Sequence, residues 1–80
     1  MKIIIIDTGV DISHPILKGM SIEGECIEFK NNKLYSNKKI EDEIGHGTAI
    51  NGIIAKHNKN VELYNIKIIT EKEQFILGNQ

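Results

Sequence analysis

Asp7 and His46 are the side chains in this sequence best set for acid–base chemistry. Each lies among glycines, in Asp7-Thr8-Gly9-Val10-Asp11 and Gly45-His46-Gly47-Thr48. Lys2–Ile6 ahead of Asp7 is a β-branched run without alternation, the pattern of a strand buried on both faces. Asp7 therefore falls at a strand's carboxyl end, and His46 opens a segment with helical periodicity. Groups in those two places can meet above a sheet, where α/β sites gather. A carboxylate there can accept one imidazole N–H, fix the tautomer and stabilise the imidazolium. The second ring nitrogen is then free to deprotonate a hydroxyl nucleophile. Asp11 and His14 read as braces for the loop after Asp7, and the glycines allow close backbone approach.

The elements that must position this pair follow from local pattern. Ser13-His14-Pro15-Ile16-Leu17 reads as a helical turn with Ser13 as N-cap and a proline near its start. Ser21–Lys30 reads as one irregular strand, and Asn31-Asn32 as a hairpin turn into Lys33–Ser36. The polar stretch Asn37–Glu43 reads as a surface loop. From His46 the apolar positions Ala49, Ile50, Ile53 and Ile54, with His57 on the same face, follow the spacing of an amphipathic helix ending near Asn58-Lys59-Asn60. Val61–Ile69 returns to strand character. The plan is α/β, with a partly parallel sheet, a hairpin, one main helix and at least one parallel crossover. Glu71–Gln80 reads equally as a short helix, a frayed tail or the start of a further element.

Composition narrows the function classes. The 80 residues carry 10 Lys and no Arg against 11 acidic residues, a net charge of −1, which provides no electrostatic footprint for nucleic acid or an acidic membrane. A single cysteine excludes a disulfide scaffold, and Cys26 reads as a small buried hydrophobe. Asp7 ends the first apolar run too early for a signal peptide, which needs roughly 7–15 apolar residues, or for a membrane span of about 20. Taken literally, the chain is cytoplasmic. His46 and His57 would stand about 16 Å apart along one helix at ~1.5 Å per residue. They cannot share an ion, so neither metal nor other cofactor is expected. Ile fills 17 positions, more than one helix can cover, so apolar surface is expected to face something outside these residues.

Both motifs together resemble the subtilisin-like serine peptidases. In that family the Asp lies in a D-[ST]-G-[IV]-D stretch followed by H-P, and the His opens a helix as G-H-G-T-x-x-x-G. Asp7–Asp11 with His14-Pro15, and Gly45–Gly52, stand in that order, Asp7 and His46 being 39 residues apart. Val61–Ile69 is similar to the strand that follows the family's His helix. The resemblance spans most of residues 2–69. It implies that residues 1–80 are the amino-terminal part of a catalytic domain with an incomplete three-layer fold. It also implies that Asp7 orients His46 as general base in an Asp-His-Ser triad acting on a peptide or protein substrate.

Departures from the family pattern are equally informative. Ser13, Ser21 and Ser36 are the only serines, and none lies in a G-T-S-type motif. The Asn of the oxyanion hole and the Gly-rich substrate strand have no counterpart either. The resemblance therefore implies an inert chain when alone, with the Ser supplied by a missing segment or a complementing polypeptide. His14-Pro15-Ile16-Leu17 replaces the usual H-P-D-L, and Ala49 replaces the second His of H-G-T-H. Two alternatives stay open on sequence. Asp7–Asp11 also resembles the D-T-G-A-D of retroviral-type aspartic proteases, dimers in which two Asp share a proton, and Phe75–Asn79 is similar to their late I-[IL]-G stretch. That reading demands an all-β chain and leaves both His motifs unexplained. The other alternative is a non-catalytic binding or regulatory remnant of a protease.

Overall fold

The computed structural model describes residues 1–70, so the three readings of Glu71–Gln80 lie outside the described residues. Four strands, β1 (Lys2–Asp7), β2 (Ser21–Lys30), β3 (Lys33–Asn37) and β4 (Glu62–Thr70), form one sheet in the order β1-β4-β2-β3. β4 runs parallel to β1 on one side and to β2 on the other, while β3 returns antiparallel to β2. Asn31 and Asn32 both take positive φ, 52° and 61°, the backbone twist that a two-residue hairpin turn requires. β2 is a continuous ten-residue strand rather than an irregular one, because Ser21 through Phe29 pair without a break with β4 and Lys30 pairs with Lys33 on β3. The short helical turn is a 3-10 turn at Pro15–Leu17, capped by His14 rather than Ser13: the His14 ring accepts from Ile16 N.

Helix α1 (His46–His57) lies on one face of the sheet. Between them Ile5, Val61 and Leu63 are buried, with Ile3, Ile22, Ile50 and Ile54 packed around them. A second cluster of Val10, Leu17 and Ala55 closes the loop side. The helix is turned relative to the face its apolar periodicity predicts. Ile50 and Ile54 point inward, but Ala49, Ile53 and His57 are exposed, and Gly47, Asn51, Gly52 and Ala55 are the buried positions. Small side chains on that face let the helix approach so closely that a Cβ on Gly47 would lie 2.0 Å from the Gly9 carbonyl oxygen.

One polar pair is sealed beneath this contact. Asn51 and Asn65, at 0% and 1% exposure, exchange amide hydrogen bonds of 2.8 and 3.0 Å between α1 and β4. Asn51 Nδ2 also donates to Gly47 O at 2.7 Å. Buried amides are tolerated when their hydrogen-bonding groups are matched in this way.

The opposite sheet face has no covering layer among the described residues. Ile4, Ile6 and Ile68 point there at 60%, 62% and 41% exposure, beside Tyr64 and Ile66, which pair in register with Ile4 and Ile6. The architecture is thus helix on sheet, two layers of an incomplete three-layer α/β fold. Covering the exposed part of each such isoleucine would stabilise the molecule by about 1–2 kcal/mol.

Candidate active site

Asp7 is the last residue of β1 and His46 the first of α1. The helix crosses the sheet so that these ends meet: His46 Nδ1 lies 2.9 Å from Asp7 Oδ1 and 3.0 Å from Oδ2. Oδ1 also accepts from the Thr8 amide at 2.7 Å, which holds the carboxylate against the strand end. An acceptor-only carboxylate selects the tautomer with its proton on Nδ1 and leaves the Nε2 lone pair available. The hydrogen bond that Asp7 accepts from the ring, and then its negative charge, raise the His46 pKa above the ordinary imidazole value, with a smaller contribution from the Asp42 charge. The Asp7 side chain is mostly covered, whereas that of His46 is 67% exposed. Beside the ring opens a groove of about 570 Å³ lined by Ile6, Asp7, Thr8, Ile44, His46, Ile68 and Thr70. It is contiguous with the uncovered sheet face through Ile6 and Ile68.

How α1 begins explains where the imidazole stands. Gly45, the N-cap, has φ 102° and no side chain with which to cap, a conformation that favours glycine. The first amides of a helix need acceptors, and here they are found across the chain. Thr8 Oγ1 accepts from Gly47 N at 2.9 Å, and Asp42 Oδ2 accepts from Thr48 N at 2.9 Å. Asp42 Oδ1 takes the Ile44 and Gly45 amides at 3.0 and 2.8 Å. Partial burial pushes the Asp42 carboxyl up, but the bonds from Thr48, Gly45 and Ile44 outweigh it and hold the group far below the usual carboxylate range.

The polar stretch around residues 37–43 is therefore a strap across the site rather than a free surface loop. Val10 N donates to Ile40 O at 2.7 Å, and the Lys67 ammonium to Glu41 O. Asp42 did not stand out in the sequence. The available signal was a helix opening on Gly45 with no Ser, Thr, Asp or Asn at the cap, which calls for a carboxylate from nearby.

The other candidates fall into place around the pair. Asp11 accepts from Ser13 N at 3.1 Å and from the Ser13 hydroxyl, which lower its pKa, and its amide donates to Thr48 Oγ1 at 2.9 Å. Asp11 and His14 thus organise the loop after β1. His57 is exposed at the far end of α1, and Cys26 is buried in β2. Among the described residues no serine hydroxyl bonds to His46. Ser36 is on β3, three strands from β1 in the sheet, or about 14 Å at the usual strand spacing. Ser21 begins β2, level with Glu62 rather than with the Asp7 end. Among the described residues no helix is long and apolar enough to cross a membrane.

A strand-end carboxylate thus meets Nδ1 of a helix-start imidazole in an α/β frame, an arrangement capable of acid–base chemistry. The subtilase family matches over residues 1–74, and the chain belongs to that family. Among its relatives is the "Major intracellular serine protease" of Bacillus subtilis (strain 168), 38% identical over 60 residues. That alignment covers 75% of this chain and 18% of the relative, so the chain spans less than a fifth of the relative's length. No solved structure matches the chain. The aspartic-protease alternative fails on the fold: it requires an all-β chain, whereas residues 46–57 form α1 and β1 pairs in parallel with β4. The similar stretch Phe75–Asn79 lies outside the described residues.

Proposed function

We propose that the chain contributes the Asp and His of an Asp-His-Ser triad for peptide-bond hydrolysis. Asp7 holds His46, and His46 Nε2 is the general base. The observation that carries this reading is the contact of His46 Nδ1 with both Asp7 oxygens, at 2.9 and 3.0 Å, beside an open groove. In the completed site a Ser hydroxyl gives its proton to Nε2 as its oxygen attacks the scissile carbonyl. Asp7 stabilises the imidazolium so formed. His46 then protonates the leaving amine, and a water activated by the same nitrogen releases the acyl group.

The Ser and the oxyanion donors belong to polypeptide beyond these residues, either a further segment or a complementing chain. The groove lined by Ile6, Ile44 and Ile68, with the open sheet face beside it, is the surface for that polypeptide. Its apolar character and its continuity with the dyad support this placement. So does the relative, more than four-fifths of which lies outside the alignment. The isolated chain is proposed to be inactive, and to act inside the cell, as the relative's name says of that protein.

Co-expression tests the reading. The chain is produced with the polypeptides encoded beside it and with any continuation of its own reading frame, then treated with a serine-directed phosphonate. Labelling that needs both components and is lost in Asp7→Asn and His46→Ala is the expected result. A folded chain that binds such a partner but never supports labelling identifies a non-catalytic remnant instead.

A further inference from the structure

We propose that Asp42 is the positioning residue of this site, tying the end of β1 to the start of α1 so that His46 meets Asp7 at a fixed distance and angle. The inference rests on the reading of Asp7 and His46 as the acid–base pair. Asp42 touches neither of them; it holds their neighbours. Thr8, next to Asp7, donates its hydroxyl to Asp42 Oδ1 at 2.9 Å. Gly45, before His46, donates its amide to the same oxygen at 2.8 Å. Thr48 donates amide and hydroxyl to Oδ2, at 2.9 and 2.6 Å. Gly47, after His46, reaches Asp42 through the Thr8 hydroxyl, which accepts its amide at 2.9 Å.

The directions of these bonds are determined by donor counting. A threonine hydroxyl has one proton. Thr8 Oγ1 already accepts from Gly47 N, and Thr48 Oγ1 from Asp11 N at 2.9 Å, so each has its proton to give to Asp42. With three amides besides, five donors converge on one side chain, which only an ionised carboxylate can accept together. The depressed pKa of Asp42 has the same direction. An Asn in its place would turn an NH2 toward donors and break the network at its centre. The strap that carries Asp42 is itself anchored, at Ile40 O by the Val10 amide and at Glu41 O by Lys67. Lys67 sits in register with Asp7 on the neighbouring strand, so the reference frame for Asp42 is the sheet that carries Asp7.

The test follows the His46 imidazole by NMR in the 80-residue chain, through its titration and its low-field Nδ1 proton. Wild type, Asp7→Asn, Asp42→Asn, Thr8→Val, Thr8→Ser, Thr48→Val and Thr48→Ser are compared, with backbone amide spectra reporting the fold. In Asp42→Asn the Nδ1 proton signal is lost to exchange and the pKa drops toward the ordinary imidazole value. Both valine variants, which leave the Asp42 charge in place, weaken the signal and lower the pKa, and both serine variants restore them. If Asp42→Asn does not fold, the two valine–serine pairs decide the question. Folded Asp42→Asn or valine variants with wild-type His46 behaviour overturn the positioning role. If Asp7→Asn also leaves His46 unchanged, the pairing of Asp7 with His46 fails as well, so the two failures are distinguishable.

Discussion

Removing one member of the buried Asn51–Asn65 pair should cost more than removing both costs per residue. Asn51→Ala deletes three hydrogen bonds, to Gly47 O and to both amide atoms of Asn65. At a net value of about 1 kcal/mol each, plus about 1–3 kcal/mol for the stranded Asn65 amide, the change costs roughly 4–6 kcal/mol. Asn65→Ala deletes two bonds and strands only Asn51 Oδ1, because Nδ2 keeps Gly47 O, so its cost is roughly 3–4 kcal/mol. In Asn51→Ala/Asn65→Ala neither stranded group exists. The double variant loses only the three bonds, about 3 kcal/mol, so it should be more stable than the sum of the single costs implies by roughly 4–7 kcal/mol, the two shared bonds and both stranded groups being counted in the sum alone. Urea unfolding followed by far-ultraviolet circular dichroism measures all four corners of this cycle. Strict additivity would refute the reasoning, since it would mean that each amide is satisfied independently of the other. The expected loss is large because a chain of this length has a total stability of only about 4–12 kcal/mol. The single variants should accordingly be the first to unfold.

Four further outcomes follow from the same geometry. Gly47→Ala places a Cβ against the Gly9 carbonyl, so it should destabilise the chain by about 1–3 kcal/mol and lower the His46 pKa; equilibrium unfolding and NMR titration check both. The folded-state pKa of His46 is raised, so its contribution to stability is complete below its unfolded value of about 6.5 and is lost as pH rises through the folded value. The urea midpoint should fall over that interval in wild type, and Asp7→Asn should flatten the slope. Asp42 has the opposite sign: its depressed pKa contributes stability above about pH 3.9 that is lost on acidification, and Asp42→Ala should reduce acid sensitivity in pH-jump unfolding. The uncovered isoleucines should make the isolated chain self-associate. Sedimentation should show Ile4→Lys/Ile68→Lys moving toward monomer, and a compact wild-type monomer would contradict this.

Much of the site could be read from sequence because its two central residues mark element ends. A β-branched run ending in Asp7 and a helical period starting at His46 locate both groups without knowledge of the packing. Asn31-Asn32 likewise announces its turn, since two adjacent residues with positive φ need types that tolerate it. What escaped the sequence depends on long-range partners. Apolar periodicity assigned Ala49 and Ile53 to the buried face of α1, but close approach to β1 and β4 selects small residues and one matched amide, so Gly47, Asn51 and Ala55 are inside. Asn65 looks like a polar interruption of a strand until Asn51 is opposite it. Asp42 lies in a charged stretch that reads as solvated, and its importance comes from donors six and 34 residues away. Periodicity reports which side chains avoid water, and is silent about which polar groups are answered by others.

The central claim is that the Asp7 carboxylate holds the His46 imidazole as a general base. The most direct measurement is the NMR pH titration of His46 in the 80-residue chain, wild type against Asp7→Asn. The predicted result is a wild-type pKa above the ordinary imidazole value and a protonated Nδ1 in the neutral form, with both features lost in a folded Asp7→Asn variant. A His46 that titrates at the ordinary value in wild type and is unmoved by Asp7→Asn would contradict the account.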